Sequence, residues 1–327
     1  MNDHGDLSRR RFMLRVAQAG ASLAAVGAVG WLAYDKDGPS GRQEQADGFQ
    51  LPGFAVEDSG AKMAISHGKD RVATLTAALA AMGGIERFIR KGDCVLLKVN
   101  AAFATPPILS ATSNPELVRE IAGLCLKAGA REVRISDNPI NDPDSCFRLT
   151  GIEEAAAACG ARLMRPRSSA FAPFTLKGGA LIRDWPLLRE PLDGVNRVIG
   201  IAPVKDHHRS GASMTMKNWY GLLGGRRNIF HQDINTIISE LATMMRPTLV
   251  VLDGTTTMMS NGPTGGSTAD LKQTDTLIVS TDQVAADAFG ATLLGRSAAD
   301  LPYIGRAAAA GCGTADYKSL NPEEVNI

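Results

Sequence analysis

The chain has 327 residues, and its 35 Lys and Arg stand against 34 Asp and Glu for a formal net charge of +1. So even a balance gives no bulk attraction to nucleic acid, and none is expected as a partner. Aromatic residues make up 5% and there are 34 glycines, which suits a tightly packed α/β domain and argues against a β-sandwich or a module built on stacking faces.

Ser8-Arg9-Arg10-Arg11-Phe12-Met13 precedes a weakly apolar run from Val16 to Ala33. Paired arginines, a Phe and a small-residue apolar stretch, in that register, read as a twin-arginine export signal. The expectation is a domain that folds in the cytoplasm, meets the twin-arginine export machinery and is periplasmic or otherwise exported, working outside the inner membrane. Val26-Gly27-Ala28 and Ala28-Val29-Gly30 offer small residues at cleavage-like spacing. The run is at the short end of the roughly 20 residues needed to cross about 30 Å of hydrocarbon, and Gly20, Gly27 and Gly30 weaken it as an anchor. Residues 1–34 are therefore read as the signal, with cleavage favoured and an uncleaved membrane anchor as the alternative. The membrane is met only through this segment. Residues 35–53 are rich in Gly, Asp, Gln and Pro without periodicity and read as a linker. Residues 54–327 remain for an α/β domain.

Asp70 to Met82 has apolar residues at helical spacing and stops at Gly83-Gly84. Asp93 to Asn100 reads as a buried strand that delivers Lys98 and Asn100 to a loop. Ser113-Asn114-Pro115-Glu116 starts a helix that runs to Ala128 and stops at Gly129. Arg131 to Asp137 is the next strand, so a right-handed crossover places Asn100 and Asp137 on one edge of a parallel sheet. Thr150 is expected to cap a helix from Gly151 to Cys159, followed by a strand at Arg162 to Met164. Asn196 to Val204 is a strongly apolar strand ending in Lys205-Asp206-His207-His208. Ile234 to Met245 is an amphipathic helix, Thr248 to Leu252 a strand ending at Asp253-Gly254, and Thr276 to Ser280 another ending at Thr281-Asp282. Val284 to Leu294 and Ile304 to Ala310 close the chain as helices. The fold class is α/β: a mostly parallel open sheet with helices on both faces, built from repeated βα units. In such sheets ligands bind beyond the carboxyl ends of the strands.

None of the five cysteines forms Cys-x-x-Cys, so no zinc ribbon or iron–sulfur cluster motif is present. Cys94, Cys125 and Cys159 fall in apolar patterns and read as core thiols. Cys146 reads as part of a polar loop, and its pairing with Cys312 after export is left open.

Three of the four histidines beyond the signal region, His207, His208 and His231, share one window with Lys205, Lys217, Asn218, Arg226, Arg227 and Asp233. Gly221, Gly224 and Gly225 lie between its basic residues, a pattern able to turn backbone N–H groups towards phosphate or carboxylate. Lys205 and Lys217 interrupt apolar runs, where Lys is seldom buried without a partner. Each reads as an anion clamp, a base of depressed pKa or a Schiff-base amine. His207 and His208 are adjacent and are expected to point apart. His231 and Asp233 can face one side of an extended segment, either as metal ligands or as an acid–base pair. Asn261 in Ser260-Asn261-Gly262-Pro263 is a candidate substrate donor.

Several stretches together resemble the "domain of unknown function 362" family. They are Gly92 to Asn100, Asn114 to Val118, Ser136 to Pro139, Pro203 to His207, Met216 to Gly221, His231 to Asp233, Asp253-Gly254, Asn261 to Pro263 and Ser280 to Ala288. Val99 and Ser136 depart from the family pattern, which favours Pro and Gly there. The family's activity is not established. Some relatives carry ferredoxin-like iron–sulfur segments, which this chain lacks. The resemblance implies a shared site at Lys98, Asn100, Asp137, Lys205, His207, Lys217, Asn218, His231 and Asp253.

The leading reading is an exported enzyme, of unknown reaction class, acting on a small anionic substrate. Its catalytic set is His207, His231, Lys217 and Asp253; its substrate-binding set is Lys98, Asn100, Asp137, Lys205, Asn218 and Asn261. A divalent metal at His231 and Asp233 is an open cofactor option. The alternative is a non-catalytic ligand- or metal-binding accessory factor of an exported redox system. Lys98, Asp137, Lys205, His207, Lys217, His231 and Asp253 are expected to line one cleft at the carboxyl edge of the sheet.

Overall fold

The computed structural model describes residues 12–14, 16, 50–56 and 60–327. The chain divides into two compact units, Met1–Gly48 and Phe49–Ile327. Of the first, residues 12–14 and 16 are helical; Arg9, Arg10 and the candidate cleavage positions lie outside the described residues. No helix among the described residues is long and apolar enough to cross a membrane.

The second unit contains, in chain order, β1 (Met63–His67), α1 (Arg71–Ala81), β2 (Cys94–Lys98), α2 (Pro115–Lys127), β3 (Glu132–Ser136), α3 (Pro143–Leu149), α4 (Ile152–Cys159) and β4 (Arg162–Met164). There follow β5 (Phe171–Phe174), β6 (Trp185–Leu188), β7 (Arg197–His207), β8 (Gly211–Ser213), α5 (Thr215–Asn218) and α6 (Ile234–Met244). β9 (Leu249–Met258), β10 (Leu271–Ser280), α7 (Gln283–Leu293), α8 (Pro302–Ala309) and β11 (Glu323–Asn326) complete it.

The main sheet has the order β11-β1-β10-β9-β7-β2-β3-β4, with β8 added to β7. Strands β9, β7, β2, β3 and β4 form a parallel block, whereas β10 runs antiparallel to both of its neighbours. Alternate residues of the central strands feed two separate cores. Leu96, Val198, Val250 and Ile278 point to one, with α6, α7 and α8. Val95, Leu97, Ile199, Val251 and Leu277 point to the other, with α1, α2 and α4. Both sheet faces are therefore covered, which is why these strands read as continuous apolar runs. The fold is α/β, mostly parallel, with helices on both faces.

Local chemistry accounts for the boundaries. The Asn114 side chain accepts from the Glu116 N–H at 2.9 Å, and Pro115 opens α2. Asp70 caps α1 in the same way through the Ala73 N–H. Thr150 departs from its expected role. It ends α3, its hydroxyl donating to Cys146 O at 2.7 Å, and α4 starts from Gly151 without a side-chain cap. Cys146 lies inside α3 and is buried, not in a polar loop, and all five cysteines are free thiols. β7 and β9 run several residues beyond their apolar cores, so Lys205, His207 and Asp253 belong to strands and not to the loops after them.

Candidate functional site

β2 and β3 end side by side, with Lys98 registered against Ser136. This juxtaposition brings Lys98 and Asp137 together as an ion pair of 2.9 Å. Lys98 is 0% exposed, and its Nζ also donates to Val99 O, Asn218 O and Asn218 Oδ1. Asp137 Oδ2 accepts from the Ala101 N–H at 2.6 Å. Burial lowers the Lys98 pKa, and Asp137 opposes that shift. The Asn218 amide donates to Lys98 O and Ile201 O, so its side chain is engaged at both ends. Gly221 lies against this pair: a Cβ there would stand 1.8 Å from Asp137 Oδ1 and 2.8 Å from Lys98 Nζ. Lys98, Asp137, Asn218 and Gly221 thus form a packed floor, in which Lys98 alone, against expectation, does not reach the cleft lining, because the other three cover it.

Above the floor opens a cleft of about 1170 Å³ whose lining includes Asn100, Phe103, Asp137, Lys205, Lys217 and Tyr220. On β7, Lys205 and His207 share a side, while Asp206 between them pairs with Arg296 at 2.9 Å. Lys205 is 1% exposed; its Nζ donates to Ala111 O and stands 5.2 Å from the centre of the Phe103 ring. Lys217 is half-buried, with its Nζ 5.2 Å from the centre of the Tyr220 ring. Neither lysine has a carboxylate partner among the described residues. Burial together with the charge of Lys217 brings the Lys205 pKa down to about 7. Burial, helped by Arg227, brings Lys217 down to about 8.

Buried Asp287 sets the position of Lys217. Its carboxyl accepts from the Thr215 N–H at 2.8 Å and the Met216 N–H at 3.2 Å, holding the start of α5. Burial raises the pKa of Asp287 to about 7. Arg227 braces the rim, donating to Tyr220 O, Leu223 O, Asn138 O and Pro139 O, so it is not a solvated charge.

The three histidines form a stack. His207 lies 5.0 Å from His208 at an interplanar angle of 9°, and 5.8 Å from His231 at 11°. The expectation that His207 and His208 point apart fails because the chain turns after His207, folding the second ring back over the first. His207 Nδ1 accepts from the Arg209 and Ser210 N–H groups at 3.2 and 3.3 Å, which places its proton on Nε2. His231 Nδ1 faces Asn228 O at 3.1 Å; a carbonyl only accepts, so Nδ1 carries the proton and Nε2 is a free base. Burial, then Lys217 and the neighbouring rings, drives the His207 pKa down to about 2, and the same two leading causes lower that of His231. One neutral donor and one neutral acceptor therefore line the same cleft.

Other candidates lie elsewhere. Asp253 does not reach the cleft: it pairs with Arg71 at 3.1 Å and accepts from the Thr255 N–H and hydroxyl. Asn261 donates to Asp270 Oδ1, and only the following Pro263 and Thr264 reach the lining. Asp233 caps α6 through the Thr236 N–H and lies 3.8 Å from Arg306, so it does not join His231 in a ligand pair. Among the described residues no three His, Cys, Asp or Glu side chains are grouped to hold a metal. Phe103 was not singled out in the sequence, and Arg227 was read there only as a basic neighbour of the glycines, not as a brace on carbonyls. Phe103 sits in a loop with no pattern, and an arginine that caps carbonyls resembles any surface arginine in sequence.

The family model for the domain of unknown function DUF362 matches residues 95–292, more than half of the chain. The chain is a DUF362 protein. The matched span contains every cleft residue named above. This DUF362 chain is 26% identical over 247 residues to the thylakoid-associated protein sll1697 of Synechocystis sp., covering 71% of this chain and 73% of that one. Among solved structures it is similar to the lactate racemase apoprotein of Thermoanaerobacterium thermosaccharolyticum, with a TM-score of 0.38, 12% identity and 72% of this chain covered. A Thermotoga maritima protein gives a TM-score of 0.33 at 11% identity over 57% of this chain. The DUF362 chain spans 57% and 51% of the lengths of those two proteins.

Proposed function

We propose that this DUF362 protein is an exported enzyme that binds a small anionic substrate in the cleft and moves protons on it. The observation that carries the reading is the pair Lys205 and Lys217: two lysines facing one cleft, desolvated and without a carboxylate among the described residues. Burying an unpaired charge is costly, and a ligand anion offsets that cost. His231, with a free Nε2, is the base, and His207, with its Nε2–H, is the proton donor. Asn100 lines the cleft and accepts from the Ala102 N–H through Oδ1, leaving its amide N–H groups to orient the ligand. Lys98, Asp137 and Asn218 hold the floor.

Calorimetric titration with inorganic phosphate and simple carboxylates tests this reading. Lys217→Met and Lys205→Met should each weaken the best of these anions by about 2 kcal/mol or more, roughly 30-fold. Variants that remain folded and bind like wild type would remove the clamp.

Export rests on Ser8-Arg9-Arg10-Arg11-Phe12 and the weakly apolar stretch after it. Replacing Arg9 and Arg10 by Lys should retain the full-length protein in the cytoplasm in a protease-resistant form. Cell fractionation with limited proteolysis reads this, and continued export of the double variant would refute it.

A further inference from the structure

We propose that Lys205 is a nucleophile that forms an imine with the carbonyl carbon of an anionic aldehyde or ketone, while Lys217 holds that substrate's anionic group. The proposal rests on the reading of the cleft as an anion site and assigns it a substrate class.

An amine attacks a carbonyl only under definite conditions. It must be neutral, reachable from the substrate site and served by proton donors and acceptors. Lys205 lines the cleft from β7, yet it is 1% exposed. Its Nζ donates to Ala111 O and packs on the Phe103 ring. An uncharged amine satisfies both neighbours, since a carbonyl needs only an N–H. A carboxylate opposite the amine would hold it charged, as Asp137 does for Lys98 at 2.9 Å. Four charged or titratable groups surround Lys205. Lys217 faces it from α5, Lys98 and Asp137 lie in the floor, and neutral His207 is two residues along the same strand. Of these only Asp137 favours the charged amine, and Asp137 is already bound to Lys98. Burial and Lys217 together leave the amine titrating at about 7, so much of it is neutral at physiological pH.

The two lysines differ in a way that divides their roles. Lys205 is deep and titrates lower; Lys217 is half-buried and titrates at about 8, so it is the better cation. A substrate with its anion on Lys217 presents its carbonyl to Lys205.

The step balances without a co-reactant. The Nζ lone pair attacks the carbonyl carbon as the C=O π pair moves to oxygen. That oxygen takes a proton from His207 Nε2–H, and the nitrogen gives one up to His231 Nε2. The nitrogen lone pair then expels the C–O bond of the carbinolamine to form C=N; oxygen leaves as water with the proton His231 took from nitrogen, and the nitrogen's remaining proton returns to His207 Nε2, so both rings end neutral. Amine plus carbonyl becomes imine plus water, with no change of oxidation state. The imine then draws electrons from the adjacent C–H bond, the position at which His231 acts as base.

Pyridoxal 5′-phosphate, an aldehyde that carries a phosphate, is a suitable probe for the full-length chain. Borohydride reduction followed by peptide mapping locates any imine. The expected product carries the phosphopyridoxyl group on Lys205 and not on exposed Lys272, formed at pH 7 at least on the order of 100-fold faster than on an ordinary lysine amine, whose neutral fraction there is about 1,000-fold smaller. Lys217→Met should slow labelling of Lys205 at least about tenfold. The readout on the wild-type chain does not depend on any variant folding. Pyridoxine 5′-phosphate keeps the phosphate and lacks the carbonyl, so its binding reports the anion site alone. If it binds while the label falls on Lys217 or spreads over exposed lysines, the imine assignment is overturned and the anion site stands. If neither compound binds, both are overturned.

Discussion

Lys98 and Lys205 are both buried lysines, and they differ in what stands opposite the ammonium. Lys98 has Asp137 at 2.9 Å and three oxygen acceptors; Lys205 has one carbonyl and a ring. The first arrangement is a sealed structural pair, and losing one partner of such a pair typically costs about 3–5 kcal/mol. The second is a group held ready for a ligand. Its cost to the empty protein has a definite pH dependence. The folded pKa of Lys205 is about 7 against an ordinary 10.5. Between these values the unfolded chain binds more protons, so the contribution of Lys205 to stability rises with pH. Its penalty is largest below pH 7, on the order of 5 kcal/mol by linkage, and fades towards pH 10.5. Lys205→Met should therefore gain stability over wild type at pH 6–7, with the gap closing as pH rises; denaturant unfolding across that range measures it. A gap independent of pH would show that Lys205 is not held partly neutral.

At the scale of elements, most βα units were legible because apolar periodicity and capping residues agree locally. Asn114-Pro115 opens α2 and Asp70 caps α1 as the sequence suggests. The strands read too short share a cause. Thr255, Thr256 and Thr257 extend β9, and Thr274 extends β10, in a polar hairpin that apolar runs cannot reveal. Thr favours strands through its branched side chain, not through hydrophobicity. β1 and β11 were missed because an edge pairing depends on residues far apart in sequence. In the candidate site, Lys205 and Lys217 were legible where they close or interrupt apolar runs, and His207 and His231 because the scarce histidines cluster in that window. Their ranking was not: Asp253 shares a strand-end signature with Asp137, and only the neighbouring Arg71 separates their roles. The imidazole stack and the two tautomers depend on backbone N–H and C=O groups, which no side-chain pattern encodes. Gly221 is explained only by the pair it covers.

For the whole molecule, near-neutrality conceals a local imbalance. The net charge is +1, yet the cleft gathers Lys205, Lys217, Arg209 and Arg226 around Asp137, whose charge already serves Lys98. The parallel block of the sheet ends beneath this cleft, where α/β folds commonly bind ligands. An anion held by Lys217 must raise the pKa of that lysine, so binding draws protons from solution. The most direct test is titration calorimetry with pyridoxine 5′-phosphate at pH 8 in buffers of different ionisation enthalpy. At that pH Lys205, at about 7, is mostly neutral and Lys217, at about 8, is half neutral. The account predicts uptake of about half a proton per anion bound, lost in the Lys205→Met, Lys217→Met double variant. Binding with no proton uptake, or with the same uptake in the double variant, would contradict it.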